Sequence, residues 1–88
     1  MKVYILIYKE DTDGCYETKV SPYSSEDPAR EEMETAYAEK LQEISFDVSE
    51  QSDDHRCICT KRSAGIEDGM DYYSWTIEEH DLQDLFVK

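Results

Sequence analysis

The chain has few basic residues and no long apolar run, and each shortage excludes a class of protein. Only 9 of its 88 residues are Lys or Arg, against 22 Asp or Glu, so the formal net charge is −13. Such a surface repels nucleic acid phosphates and anionic lipids, and it attracts basic protein surfaces. The composition therefore disfavours direct nucleic acid or membrane binding and favours a basic protein surface as the partner.

Glycine and proline are also scarce, with three and two residues. With 39% hydrophobic residues and seven tyrosines, this argues against wholesale disorder despite the charge. We expect a single domain over residues 1–88, too small for a core plus a buried substrate cavity of the usual size. The apolar run at residues 3–8 is too short for a membrane span or a signal segment, so we expect a cytoplasmic protein.

The first half of the chain predicts two strands and a helix. Residues 3–8 are apolar at both parities, which is typical of a central strand, and the turn formers at 10–14 predict a hairpin with a strand at 15–20. Asp27 and Pro28 predict a helix start, with Asp27 as the N-cap. Spacings of three and four then form one apolar stripe, consisting of Met33, Ala36, Tyr37, Leu41 and Ile44. We expect the stripe to cover Val3, Ile5, Ile7 and Trp75.

The second half predicts two more strands, at residues 55–60 and 72–78. Residues 45–54 are polar and form either a connection or, from residue 44, an extended segment. Residues 61–71 contain two glycines and little periodicity, so we expect a long loop that joins the two strands as a hairpin. Residues 81–86 form one helical turn or a frayed end. The order β-β-α-β-β predicts an α+β fold, with an antiparallel or mixed sheet of about four strands and one helix on one face.

Three metal-ligating side chains alternate along the third predicted strand. His55, Cys57 and Cys59 share a face, and Cys15 or His80 could supply a fourth zinc ligand. Alternate strand side chains are about 6.5 to 7 Å apart, however, which two ligands at about 2.3 Å cannot span without bending. We therefore expect no metal and no cofactor, and reduced cysteines that are buried as small hydrophobic residues.

No catalytic constellation is recognisable, since the chain has no Gly-rich phosphate loop and no carboxylate pair that spacing singles out. We expect no catalytic residues and no enzyme activity. The basic residues Arg56, Lys61 and Arg62, with aromatic residues nearby, support an alternative function, the sequestration of an anionic nucleotide-like ligand.

The acidic residues are the most informative group. Glu32, Glu39 and Glu43 lie on neighbouring helix positions at one carboxylate per turn, or about 5.4 to 6 Å, near the ~6.8 Å rise of two phosphates along a DNA strand. Such a surface could imitate a phosphate track, although a solvated face that only maintains solubility is the alternative. The expected partner-binding residues are Glu31, Glu32, Glu34, Glu39, Glu43, Asp53, Asp54, Glu67, Asp68, Asp71 and Tyr72.

Three segments carry a resemblance: the opening strand Met1–Tyr8, Tyr23–Glu26 before the helix, and the closing Ile77–Leu82. They resemble short open reading frames of phages and mobile elements, which supports the element order. By size and acidity the chain is also similar to phage-encoded inhibitors of bacterial defence, including anti-CRISPR proteins that occupy nucleic acid-binding clefts. That similarity implies a non-enzymatic inhibitor in the host cytoplasm, bound to a basic nucleic acid-binding surface of a host defence protein. Both a monomer and a homodimer are compatible with the sequence.

Overall fold

The computed structural model of the chain describes residues 2–81, which form an α+β fold with one helix on one face of an antiparallel sheet. The elements are β1 (Lys2–Thr12), β2 (Cys15–Tyr23), α1 (Glu26–Glu43), β3 (His55–Cys59), β4 (Ser63–Asp68) and β5 (Asp71–Asp81). Their order in the sheet is β2-β1-β5-β4-β3. The predicted fold class is confirmed, with five strands instead of four. The expectation for residues 81–86 lies almost wholly outside the described residues.

The additional strand is β4, which lies between β3 and β5. The expectation of a loop over residues 61–71 is therefore wrong. The expectation that β3 and β5 pair directly is also wrong, because each of them pairs with β4 instead. Ala64 and Ile66 point into the core at 4% and 0% exposure. They are separated by Gly65, and two apolar residues are too few to produce a recognisable strand period.

The predicted first hairpin is confirmed, and both of its strands are longer than expected. Thr12 faces Cys15, so that only Asp13 and Gly14 form the turn. Their φ angles are 48° and 82°. Positive φ at both central residues is the requirement of a type I′ turn, which matches the twist of the flanking strands.

Helix α1 begins at Glu26, one residue before the expected N-cap. Ser25 takes the N-cap position with an extended backbone. Pro28 is then the third helical residue. The first four N–H groups of a helix have no intrahelical acceptor, so the lack of an N–H on Pro28 costs no helical hydrogen bond. Within the helix, Ala29 and Met33 are completely buried, whereas Tyr37 and Leu41 are partly buried against the core.

The helix covers the face of β1 opposite to the one expected. Leu6 pairs with Ile77 and Tyr8 pairs with Trp75, and these side chains contact the helix in the core. The buried residues are Leu6, Ala29, Met33, Ala64, Ile66, Tyr73, Trp75 and Ile77.

The other parity of β1 lies on the face that α1 does not cover, which we call the uncovered face of the sheet with reference to residues 2–81 alone, so the expectation that Val3, Ile5 and Ile7 pack under α1 is wrong. Side chains alternate between the two faces of a strand, and β1 is apolar at both parities, so the period alone does not indicate the covered face. Within residues 2–81, no helix is long and apolar enough to cross a membrane.

Candidate protein-binding groove

A groove of about 410 Å³ lies between α1 and the part of the sheet formed by β1 and β2. We call it the acidic groove. Its apolar lining has the buried Leu6 and Trp75 at the base and the partly exposed Tyr8 and Ala36 above them, and the rings of Tyr8 and Trp75 have centroids 5.0 Å apart. Five carboxylates from three elements also line it, namely Glu10 on β1, Glu17 on β2, and Glu32, Glu39 and Glu43 on α1.

The helical period places the three α1 carboxylates on one side. At about 100° per residue, Glu32 and Glu43 lie roughly 80 to 100° around the helix from the buried Met33, and Glu39 lies close to them. That side of the helix faces β2 across the groove. Three of the predicted partner-binding residues therefore lie together as expected.

Strand pairing contributes the other two carboxylates, because Glu10 and Glu17 are directly opposed across β1 and β2. Like charges in such a pair are normally destabilising. Here the Tyr8 hydroxyl donates to the Glu10 carboxylate, and the Lys19 ammonium lies 3.4 Å from Glu17. Burial, and then the hydrogen bond to Glu10, raise the pKa of Tyr8 far above its usual value, so that this phenol remains a neutral donor.

The two lysines of the groove are already held by its own carboxylates. Lys40 Nζ lies 3.2 Å from the Glu43 carboxylate, 3.9 Å from that of Glu10 and 5.0 Å from the centroid of the Tyr73 ring. By contrast, no cation among residues 2–81 lies within 4.0 Å of the carboxylates of Glu32 or Glu39. The groove thus combines an aromatic lining with two carboxylates, those of Glu32 and Glu39, that have no cationic partner in the described part of the chain.

Four of the predicted acidic residues lie at the end of the sheet where β1 meets β2 and β4 meets β5. Asp68 and Asp71 pair across the β4–β5 turn, and the Gly69 N–H donates to the Asp54 carbonyl, which brings Asp53 and Asp54 beside them. The C-terminus of α1 lies at the same end, where Lys40 approaches Glu10, and the helix dipole adds partial negative charge there. This end extends the negative surface of the groove.

The remaining predicted residues are not part of the groove. Glu31 is exposed on the solvent side of α1, and Glu34 lies on the side towards β3. There, burial first and the charge of Glu34 second raise the pKa of the Cys59 thiol. This thiol is therefore protonated at neutral pH. The expectation of buried cysteines is wrong, because Cys15 and Cys59 are exposed and Cys57 is only partly buried.

Glu67 and Tyr72 lie opposite each other on the uncovered face of the sheet, away from α1. Glu67 is paired there with Arg56 at 2.8 Å. Glu10 and Glu17 were not among the predicted residues, because they reach the groove only through the pairing of β1 with β2 and the choice of the covered face.

The histidine of the candidate zinc set has other partners. Its ring stacks on Phe46 with centroids 4.0 Å apart, Nδ1 lies 3.3 Å from the Asp68 carboxylate, and Nε2 lies 3.0 Å from the Asp47 carbonyl. Burial lowers the pKa of His55, but these two acceptors outweigh it and the net shift is upward. Within residues 2–81, no three His, Cys, Asp or Glu side chains are arranged to hold a metal ion. The absence of metal from the purified protein stays a prediction.

The three basic residues of the anion-binding alternative do not converge. Arg56 lies on the uncovered face at the start of β3, whereas Arg62 follows the end of that strand and contacts Glu26 at 2.6 Å and Glu79 at 3.0 Å. Lys61 is exposed beside Arg62. None of the three lines the acidic groove or a smaller groove of about 230 Å³ near Tyr16 and Tyr72.

Comparison with known proteins matched no family model, no curated protein and no solved structure.

Proposed function

We propose that the chain is a non-enzymatic interaction protein that binds a basic surface of a nucleic acid-handling protein in its acidic groove. The observation that supports this most is the combination of five carboxylates with an aromatic lining. A lysine or arginine side chain has both matching parts, because its stem or guanidinium plane packs on aromatic rings while its charge pairs with carboxylates.

The spacing of the helix carboxylates supports imitation of a phosphate track. At 1.5 Å per residue, Glu32 and Glu39 are about 10.5 Å apart along the axis, and Glu39 and Glu43 about 6 Å. These distances are near the rises of three and two phosphates along one DNA strand, about 10.2 and 6.8 Å. Ala36 occupies the intervening turn and lines the groove.

The compositional similarity to phage-encoded inhibitors supports a host defence protein as the target. In this proposal the chain occupies the nucleic acid-binding surface of that protein, and nucleic acid competes with it for the same residues. No observation favours the sequestration of a small anionic ligand.

A nona-arginine peptide tests the groove directly by isothermal titration calorimetry. The informative variant carries Glu32→Lys and Glu39→Lys, because these carboxylates have no cationic partner among residues 2–81 and their reversal breaks no ion pair there. The control carries Glu31→Lys and Glu50→Lys, which change the net charge equally at exposed positions outside the groove and also break no ion pair among residues 2–81. Thermal unfolding checks that all three proteins are folded.

We expect the groove variant to lose about tenfold in affinity, or ~1.4 kcal/mol, and the control to lose much less. The affinity of the wild-type protein should fall as salt screens the exposed charges. Equal losses in the two variants would show that net charge alone attracts the peptide, and the proposed groove would then be wrong. Affinity capture from a bacterial lysate with the wild-type and groove-variant proteins would next identify the basic protein for a DNA competition assay.

A further inference from the structure

The sheet has an open face, defined here as the face opposite α1, and its centre is apolar. Val3, Ile5 and Ile7 of β1 lie on it, and the register places Pro22 opposite Ile5 and Val20 opposite Ile7. We call these five residues the apolar stripe. Val20 is 60% exposed. A central strand that is apolar at both parities is typical of a sheet covered on both sides, whereas α1 covers only one.

Charge separates the open face from the rest of the molecule. Strand register places two cations and three carboxylates on it, namely Lys9, Arg56, Asp11, Glu67 and Glu78. Arg56 and Glu67 of this set are already paired with each other, and Glu78 lies 2.9 Å from Nε2 of His80, which is on the same face. In a chain of net charge −13, this face is therefore almost neutral, while the acidic groove lies on the other side of the sheet.

We propose that the open face is the interface of a homodimer, in which two sheets pack face to face and the helices point outwards. Near-neutrality favours a second copy as the occupant, since a basic partner is attracted to the acidic side. Sheets in such a pair are about 10 Å apart. If each helix layer adds a further ~10 Å, the two acidic grooves are about 30 Å apart, several times the ~8 Å Debye length, so their mutual repulsion is largely screened.

The size and symmetry of the face also fit a second copy. Five strands at about 4.8 Å and up to 11 residues at about 3.4 Å give a footprint of at most about 900 Å² per copy, close to the ~800 Å² of a standard interface. We place the two-fold axis in the plane between the sheets, perpendicular to the strands and near Ile7, so that β1 runs antiparallel to its copy. Lys9 lies at one end of the apolar stripe and Glu78 lies beside Ile5, so the axis brings Lys9 of each copy towards Glu78 of the other. The dimer presents its two acidic grooves on opposite outer sides. This dimer proposal does not depend on the proposed function.

Sedimentation equilibrium from low to high micromolar concentration tests this proposal. The wild-type protein should approach twice the 10.3 kDa mass of the chain. Val20→Lys, on an exposed position of the edge strand β2, should raise the dimer dissociation constant at least tenfold. The control Thr35→Lys makes the same charge change on the solvent side of α1 and should leave the constant unchanged. Both substitutions reduce the net negative charge, so weaker association of the first cannot result from greater repulsion.

A charge exchange tests the symmetry. Lys9→Glu alone should weaken the dimer, and the addition of Glu78→Lys should restore it. Failure of the exchange to restore association would contradict this orientation of the two-fold axis. A monomer at every concentration would overturn the proposal and assign the open face to residues 82–88 or to another protein. An unchanged dimer in Val20→Lys would equally overturn it, because the interface would then lie elsewhere.

Discussion

Replacement of Met33 by alanine should destabilise this protein more than most single substitutions. Met33 is 0% exposed and lies between α1 and the sheet. The change removes three buried heavy atoms, and at about 0.8 kcal/mol for each methylene-sized group the lost transfer free energy is ~2.4 kcal/mol. With the cavity that remains, we expect a loss of about 3 kcal/mol, within the range of about 2 to 5 kcal/mol found for such changes.

That loss is a large share of the stability available. At roughly 0.05 to 0.15 kcal/mol per residue, a domain of this length has a free energy of unfolding of about 4 to 13 kcal/mol. Since 1 kcal/mol shifts the melting temperature of a small domain by about 4 to 8 °C, Met33→Ala should lower it by about 12 to 24 °C. Thermal and urea unfolding followed by circular dichroism measure both quantities.

Met70 provides a control of identical chemistry. It is 88% exposed and lies in the turn between β4 and β5, so Met70→Ala should change the free energy of unfolding by less than about 0.5 kcal/mol. Similar shifts in the two variants would refute the reasoning. A stable Met33→Ala protein would mean that α1 does not cover the sheet through this residue, and the distinction between covered and open faces would be wrong.

Three further outcomes are expected. The acceptors around His55 raise its pKa above the unfolded value of about 6.5. Their stabilisation is complete below that pH and is lost as pH rises through the folded-state pKa, so the melting-temperature advantage over His55→Gln should shrink as the pH rises above about 6.5. A constant difference would contradict the shift. Gly14→Ala, at φ +82°, should lower the free energy of unfolding measured by chemical denaturation by about 1 to 2 kcal/mol. Gly65→Ala should change it little, because a Cβ at Gly65 meets nothing closer than 3.7 Å. Equal losses in the two variants would exclude the type I′ turn. Elemental analysis should find no zinc in the purified protein, and one zinc per chain lost together with folding on chelation would overturn this expectation.

Local chemistry was sufficient to predict much of the architecture. Asp13 and Gly14 favour positive φ, so the first hairpin could be predicted from a few neighbouring residues. The helix followed in the same way from apolar spacings of three and four, and only its N-cap was displaced, from Asp27 to Ser25. The acidic surface is a property of composition, and the helical period alone was sufficient to group Glu32 and Glu39 on one side of α1.

The parts that could not be predicted depend on pairing between distant residues. Strand β4 was missed because Gly65 leaves it only two buried apolar residues, and its position becomes evident only between β3 and β5. Glu10 and Glu17 reach the acidic groove because β1 and β2 pair in one register; a shift of one residue would move either of them to the opposite face.

The sequence by itself determined the hairpin, the helix and the excess of negative charge, because each depends on residues that are neighbours along the chain. Only the tertiary structure decided which face of β1 the helix covers, since Val3, Ile5 and Ile7 are as apolar as Tyr4, Leu6 and Tyr8. That choice placed the carboxylates around an aromatic groove on one side and left a nearly neutral apolar stripe on the other. Its physical reason is the alternation of side chains along a strand, which separates the two faces but does not indicate which of them will be buried.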